Sequence, residues 1–226
     1  MAFGAVNPGS NPGGAINDKM IKLINYLGQL RLYSLVDLIL LLIAAKASNY
    51  ELIGALLLHI SFLIYLESRH KHKYRENIPN IIWIILLIMG IFFYKKIEVV
   101  FFMLFSILYT NKTNKNFGSF SPFYRGLQYF FLIGGIAGYS SIITWLALLL
   151  MFIRNFTGDL RDVSKDRVDK MITLPIVFGI KNDIKYIHFI FIVITSIIWW
   201  SFTTLSYIWL IAVFVIQAIT YNLTPR

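Results

Sequence analysis

Residues 154–175 read RNFTGDLRDVSKDRVDKMITLP and form the one long charged run of an otherwise apolar chain. Within this run, Asp159, Asp162 and Asp166 are spaced i, i+3 and i+7, which places their side chains on one face of a helix. Carboxylates crowded on one face repel one another unless a cation lies between them, and hard oxygen ligands suit Mg²⁺. The spacing therefore predicts a magnesium site. The alternative is a solvated loop whose acids are balanced by neighbouring Lys and Arg.

The chain around this run has the composition of an integral membrane protein. Of its 226 residues, 58% are hydrophobic and only 14% are charged, whereas a soluble domain carries about 25% charged residues. The absence of cysteine excludes disulfides and thiolate metal sites. The net charge of +10 is typical of basic loops that face an anionic leaflet, so we expect membrane lipids and no nucleic acid as partners.

Apolar runs that alternate with polar breaks predict an all-α, multi-pass membrane bundle of about eight helices. These runs lie at 32–47, 50–68, 79–94, 96–110, 125–139, 141–157, 184–201 and 203–222. Residues 1–20 are rich in Gly, Asn and Pro and lack the apolar core of a signal peptide. We expect them to form a flexible tail, so that residues 21–226 make a single transmembrane domain.

The distribution of basic residues predicts the orientation of this domain. With eight spans, all of the 21 Lys and Arg except Lys46, Lys95 and Lys96 fall on one side, which the positive-inside rule assigns to the cytoplasm. Both termini would then be cytoplasmic in a protein of the cell membrane. The three long polar loops lie on the same face, at 69–78, 111–124 and 158–183. Since loops often carry function, we expect the site on this face.

Two of these loops are basic and suit an anionic ligand. The first contains Arg69 and Lys71, and the second lies near Tyr109, Lys112 and Arg125. Lys and Arg neutralise phosphate oxygens, and Mg²⁺ bridges carboxylates to them, so the three loops together suit a diphosphate leaving group. The alternative for both basic loops is an ordinary anchor against anionic lipid.

The charged run resembles the second aspartate-rich motif of the UbiA superfamily of intramembrane prenyltransferases. That motif consists of DxxDxxxD, followed by T-L-P and an apolar run that ends in Gly. The residues that fit this order are Asp159, Asp162, Asp166, Thr173, Leu174, Pro175 and Gly179. In addition, Arg154 stands where archaeal lipid-synthesising members often have Arg.

The resemblance implies a helical bundle around a central cavity and a Mg²⁺-dependent enzyme. It would transfer an isoprenyl group from a prenyl diphosphate to a lipid, a quinone precursor or another hydrophobic acceptor. Asp159, Asp162 and Asp166 would then be catalytic and would hold the metal, with help from Glu67. The residues expected to contact the diphosphate are Tyr109, Lys112, Arg154, Arg161, Arg69 and Lys71.

The first aspartate-rich motif of the family, roughly NDxxDxxxD, is degenerate in this chain. Its three aspartates fall at Glu67, His70 and Tyr74, so two of the three carboxylates are absent. The alternative function is therefore a catalytically impaired family member that binds polyprenyl lipid, or acts as a membrane scaffold or lipid transporter. A CDP-alcohol phosphotransferase is disfavoured because its Asp-Gly-x-x-Ala-Arg segment is missing.

Three further polar residues lie within apolar runs, where polar groups often mark function. They are Asp37, His59 and Gln217. We expect Asp37 to face the mouth of the cavity and His59 to form a hydrogen bond with a neighbouring helix, and we assign no catalytic role to any of the three.

Overall fold

The computed structural model describes residues 33–69, 78–111, 117–212 and 214–215. Within these ranges the chain is mainly helical and contains no strand. The helices are α1 (Tyr33–Ala44), α2 (Asn49–Arg69), α3 (Asn80–Tyr94), α4 (Glu98–Thr110), α5 (Ser121–Ala137), α6 (Ile142–Arg161), α7 (Val163–Val168), α8 (Leu174–Val177) and α9 (Lys185–Phe202). A 3₁₀ turn at Gly118–Phe120 precedes α5, and residues 207–212 are also helical.

The all-helical prediction is confirmed for the described residues. Helices α1 to α6 and α9 occupy the predicted apolar runs, whereas residues 1–20 and the end of the last run lie outside the described ranges. Three of the described helices, α2, α6 and α9, are long and apolar enough to cross a membrane. Helices α1, α3 and α4 are apolar but shorter, so the eight-span topology stays a prediction.

Small residues allow neighbouring helices to approach closely. Helix α2 packs along α3, and α5 packs along both α4 and α6. A Cβ added at Gly54 would lie 2.5 Å from the backbone nitrogen of Tyr94, and one added at Gly126 would lie 2.8 Å from the carbonyl oxygen of Leu148. Such small-residue contacts are typical of helix interfaces in membranes, where close backbone packing replaces the hydrophobic effect.

The outer surface of the bundle is strongly apolar. On α3, Ile81, Ile85, Ile88 and Phe92 are exposed, and α4 exposes a similar row. The spacing of these residues follows one helix face. An apolar face of this size is expected against lipid tails and is unusual on a soluble protein, which agrees with the composition of the chain.

The charged run of residues 154–175 folds as the end of one helix and two short ones. Helix α6 ends at Arg161, and Asp162 caps it with φ −91° and ψ 3°. Asp162 nonetheless bonds to both helices, because its backbone N–H donates to the carbonyl of Gly158 at 3.1 Å and its carbonyl accepts from the N–H of Asp166 at 2.9 Å. Beyond α7 the chain turns, and Thr173 precedes α8 with Pro175 in the first turn, where proline is tolerated.

Candidate functional site

A cavity of about 150 Å³ lies between α1, α2, α4, α5, α6 and α9. Part of its wall is apolar and consists of Leu41, Phe62, Leu63, Leu66, Leu150, Met151, Ile153, Phe191, Ile192 and Trp199. The other part is polar, and its charged members are Asp37, Arg125, Arg154, Asp159, Arg161 and Asp162. The cavity therefore joins an apolar surface to a cluster of charged groups inside a largely apolar bundle.

Asp159 is an acid of the cavity wall whose carboxylate is held by neighbouring side chains. Its side chain is buried, and its Oδ2 atom accepts hydrogen bonds from Ser121 Oγ at 2.7 Å and from Asn155 Nδ2 at 3.2 Å. Asn155 is itself fixed, because Tyr109 OH donates to its Oδ1 at 2.8 Å. Three helices thus hold one carboxylate in place, which is the arrangement expected when a charged side chain must keep one orientation.

The other two aspartates of the run lie in different surroundings. Asp162 lines the cavity and forms a two-bond ion pair with Arg161, at 2.8 and 2.9 Å. Asp166 lies on α7 and is buried, but it is absent from the cavity wall. Two of the three predicted ligands, Asp159 and Asp162, therefore reach the same cavity.

The donor chemistry of these residues fits a hard cation, although not as a site of three protein ligands. Among the described residues, no three side chains of His, Cys, Asp or Glu come together as a metal centre. Mg²⁺ is commonly bound by one or two carboxylates together with phosphate oxygens of a substrate. Asp159 and Asp162 match that requirement, so the magnesium site stays a prediction in which substrate completes the coordination.

The predicted diphosphate contacts divide into those on the cavity wall and those elsewhere. Tyr109, Arg154 and Arg161 line the cavity. Arg69 lies on the last turn of α2, beside the ring of Tyr65, and does not line the cavity. Lys71 and Lys112 lie outside the described residues, so the structure gives no position for them.

The degenerate first motif can be located only in part. Glu67 lies near the end of α2 and is buried, but it is not part of the cavity wall. Its two expected counterparts, His70 and Tyr74, lie outside the described residues. The predicted help of Glu67 in metal binding therefore stays a prediction.

Arg125 occupies a buried position that its place near a basic loop did not predict. Its guanidinium lies over the rings of Phe62, Tyr129 and Tyr109, with centroid distances of 4.6, 4.9 and 5.8 Å. Contacts of this kind stabilise a cation away from water. It also donates to the side-chain oxygen of Gln128, so a positive charge is held rigidly on the cavity wall.

Sequence patterns also missed several partners of the candidate site. Ser121 is a common residue type and reaches Asp159 only because α5 packs against α6. Asn155 lies four residues before Asp159 on α6 itself, and this i, i+4 spacing is a signal that could have indicated the contact. His188 lines the cavity and pairs with Asp183, with 2.6 Å between Nε2 and Oδ1. The expected bond of His59 to a neighbouring helix is present, because its ring contacts Ser34 on α1 and Tyr129 on α5.

The described residues form a bundle of helices, three of them long and apolar enough to cross a membrane, around a cavity that has an apolar part and a charged part. The family model described as VviA prenyltransferase matches residues 140–220, which include α6 to α9 and all three aspartates of the charged run. This match supports a prenyltransferase-type family and agrees with the resemblance seen in the sequence. Comparison with curated proteins and with solved structures gives no match.

Proposed function

We propose that this protein is a membrane prenyltransferase that moves an isoprenyl group from a prenyl diphosphate to a hydrophobic acceptor, with Mg²⁺ as cofactor. The observation that carries the proposal is a cavity in which an apolar wall meets Asp159, Asp162, Arg154 and Arg161. An isoprenyl diphosphate has the same division, with a long apolar chain and a multiply charged end. The family match over residues 140–220 supports prenyl transfer in general.

The charge of the cavity wall supports a metal ion in this reaction. Its described lining contains three acids and three arginines, so the formal charges cancel when His188 is neutral. A diphosphate added to such a wall would be largely uncompensated. A divalent cation bound with the diphosphate would supply the missing positive charge, and Asp159 and Asp162 would hold that cation.

The residues of the charged wall have separate roles in this proposal. Arg154 and Arg161 bind phosphate oxygens and stabilise the negative charge that develops as the bond between carbon and oxygen breaks. Tyr109 and Asn155 keep the Asp159 carboxylate in one orientation. The apolar wall excludes water from the allylic cation, which would otherwise be captured as a prenyl alcohol.

The proposal is tested by incubating purified protein in lipid nanodiscs with radiolabelled geranylgeranyl diphosphate, Mg²⁺ and a panel of acceptors. The panel contains phenolic quinone precursors and glycerol phosphate lipids. We expect labelled product with one acceptor class and none in the Asp162→Asn variant. Tight binding of the diphosphate without product or cleavage would instead favour the alternative, an impaired family member that binds polyprenyl lipid.

A further inference from the structure

Two polar residues on α1 lie on the cavity wall and have no role in binding the diphosphate as described above. Ser34 and Asp37 are both buried, at 8% and 6% exposure, and both line the cavity. Their i, i+3 spacing places them on one face of α1, which is otherwise rich in leucine. Polar groups buried in an apolar membrane helix are costly and mark functional positions.

Asp37 forms an ion pair with Arg154. Its Oδ2 atom lies 3.3 Å from Nε of Arg154, and this atom accepts no hydrogen bond from the described protein. A buried carboxylate normally accepts hydrogen bonds, because leaving its oxygens without donors costs free energy. Asp37 therefore retains the capacity to accept a hydrogen bond from a ligand in the cavity.

Ser34 can donate a hydrogen bond to a ligand, and the hydrogen bonds among Arg125, Tyr129 and His59 determine this direction. Arg125 can only donate, so the oxygen of Tyr129 accepts from it, at 3.4 Å. We assign the phenol hydrogen of Tyr129 to the hydrogen bond with Nδ1 of His59, at 3.0 Å. In this assignment the neutral imidazole carries its hydrogen on Nε2 and donates it to Ser34 Oγ, at 2.9 Å. The hydroxyl hydrogen of Ser34 is then available for a hydrogen bond to a ligand in the cavity.

Together, Ser34 and Asp37 offer a donor and an acceptor one helical turn apart. We propose that they form the subsite for the hydroxyl group of the prenyl acceptor, and that Asp37 takes the hydroxyl proton during transfer. Ser34 donates to the hydroxyl oxygen, and Asp37 accepts from the hydroxyl hydrogen. This inference rests on the proposed function, and it narrows the acceptor to a molecule that reacts through a hydroxyl oxygen.

The step balances with the groups that the proposal names. The bond between C1 of the prenyl chain and the diphosphate oxygen breaks, and its electron pair leaves with the diphosphate. A bond forms between C1 and the acceptor oxygen while the acceptor O–H bond breaks, and the proton moves to Asp37. Because Arg154 pairs with Asp37 in the structure, a diphosphate that binds Arg154 releases Asp37 when a proton acceptor is needed.

A binding experiment tests the subsite without any turnover. Full-length protein in phosphatidylcholine nanodiscs is titrated with p-cresol and with 4-methylanisole, its methyl ether, which has no hydroxyl hydrogen. We expect p-cresol to bind about 10-fold more tightly, because a carboxylate forms a strong, charge-assisted bond with a hydroxyl. In Asp37→Asn this preference should fall to about twofold. In Ser34→Ala both probes should weaken together, because both oxygens accept from Ser34.

A matched control is Thr195→Val. Thr195 also lines the cavity, but its hydroxyl donates to the Phe191 carbonyl of its own helix at 2.7 Å, so the preference for p-cresol should not change. The subsite is wrong if wild type binds the two probes equally, or if Asp37→Asn keeps the full preference. The binding test is valid whether or not the protein transfers a prenyl group.

A second measurement tests the proton step and separates it from the diphosphate chemistry. Geranylgeranyl diphosphate cleavage to the prenyl alcohol is measured without acceptor, and transfer is measured with the acceptor that wild type uses. Asp37→Asn should lower transfer by about 10²-fold or more relative to cleavage, the range of general base catalysis. Equal loss of both reactions, or full transfer, would overturn the role of Asp37. Absence of both reactions in wild type would instead overturn the proposed function.

Discussion

Two polar clusters lie at opposite ends of the helices, and only one of them lies at the cavity. The cavity cluster contains Asp159, Asn155, Ser121 and Tyr109 near the end of α6. The distal cluster lies where α2 and α4 begin and where α5 ends. It consists of Glu51, Lys96, Glu98, Tyr139 and the carbonyl of Gly135.

The distal cluster uses the same kinds of bonds as the cavity cluster. Lys96 Nζ lies 2.6 Å from Glu51 Oε1 and donates to the carbonyl of Gly135 at 2.6 Å. Burial and the neighbouring Glu98 carboxylate raise the pKa of the Tyr139 phenol, so it keeps its proton and donates to Glu98. None of these residues lines the cavity. We infer that polar groups inside this bundle indicate a functional site only where they line a cavity. The distal cluster instead stabilises the packing of the helices.

The largest expected effect is the loss of activity in Asp159→Asn. This change keeps the shape of the side chain and removes the charge that would hold the cation. We expect prenyl transfer to fall by at least about 10²-fold, the scale for loss of a group that stabilises transition-state charge. The midpoint of thermal unfolding should change little. Single-turnover assays with labelled geranylgeranyl diphosphate measure the first quantity, and circular dichroism measures the second.

Substitutions near the distal cluster should instead lower the stability of the protein. Gly54→Val places a side chain against the backbone of Tyr94, where a Cβ already lies 2.5 Å from the nitrogen. Overpacking of this kind costs about 1–3 kcal/mol. The measurement is the free energy of unfolding in mixed micelles. Gly158→Ala is the matched control, because a Cβ there meets nothing within 4 Å, and equal loss of stability in both variants would contradict the account.

A smaller effect is expected at Asn155, which orients Asp159 without being proposed to touch the substrate. In Asn155→Ala we expect about 10-fold lower activity, at the lower end of the range for residues that orient ligands of a metal. The Mg²⁺ concentration that gives half of the maximal rate should rise. A lower rate with unchanged Mg²⁺ dependence would mean that Asn155 acts on something other than the metal.

The smallest effect is expected for Lys96→Met. This change removes the ion pair with Glu51 and the bond to Gly135, but it keeps the aliphatic length of the side chain. Because both side chains of the pair are partly exposed, at 31% and 19%, we expect a loss of only about 1 kcal/mol in unfolding free energy. Activity per folded molecule should equal that of wild type. Reduced activity at full folding would contradict the separation of the two clusters.

Periodicity and composition predicted the helices well, because apolar runs bounded by Pro, Gly and charged residues determine where a membrane helix begins and ends. The structure places Asp159 and Asp162, but not Asp166, on the cavity wall, and the spacing of the three residues predicted only that they share one helix face. The spacing did not reveal the joint at Asp162, because Asp162 bonds to both helices and no Gly or Pro marks it.

Apart from Asn155, which lies four residues before Asp159 on α6, the partners of the site lie on other helices and could not be predicted from spacing. Asp37 and His59 stood out only as polar residues in apolar runs, and their roles depend on which helix packs beside them. Arg154 and Asp37 are separated by about half of the chain and meet only because α1 packs against α6. Contacts of this type follow from tertiary packing and leave no local pattern.

The central claim is that the charged wall of the cavity binds a diphosphate together with Mg²⁺. The most direct test is the affinity of geranylgeranyl S-thiolodiphosphate, which resists cleavage, measured by equilibrium binding in nanodiscs with Mg²⁺ and with EDTA. The account predicts that Mg²⁺ tightens binding to wild type by at least about 10-fold and that Asp159→Asn abolishes this difference. Equal affinity of wild type with Mg²⁺ and with EDTA would contradict it.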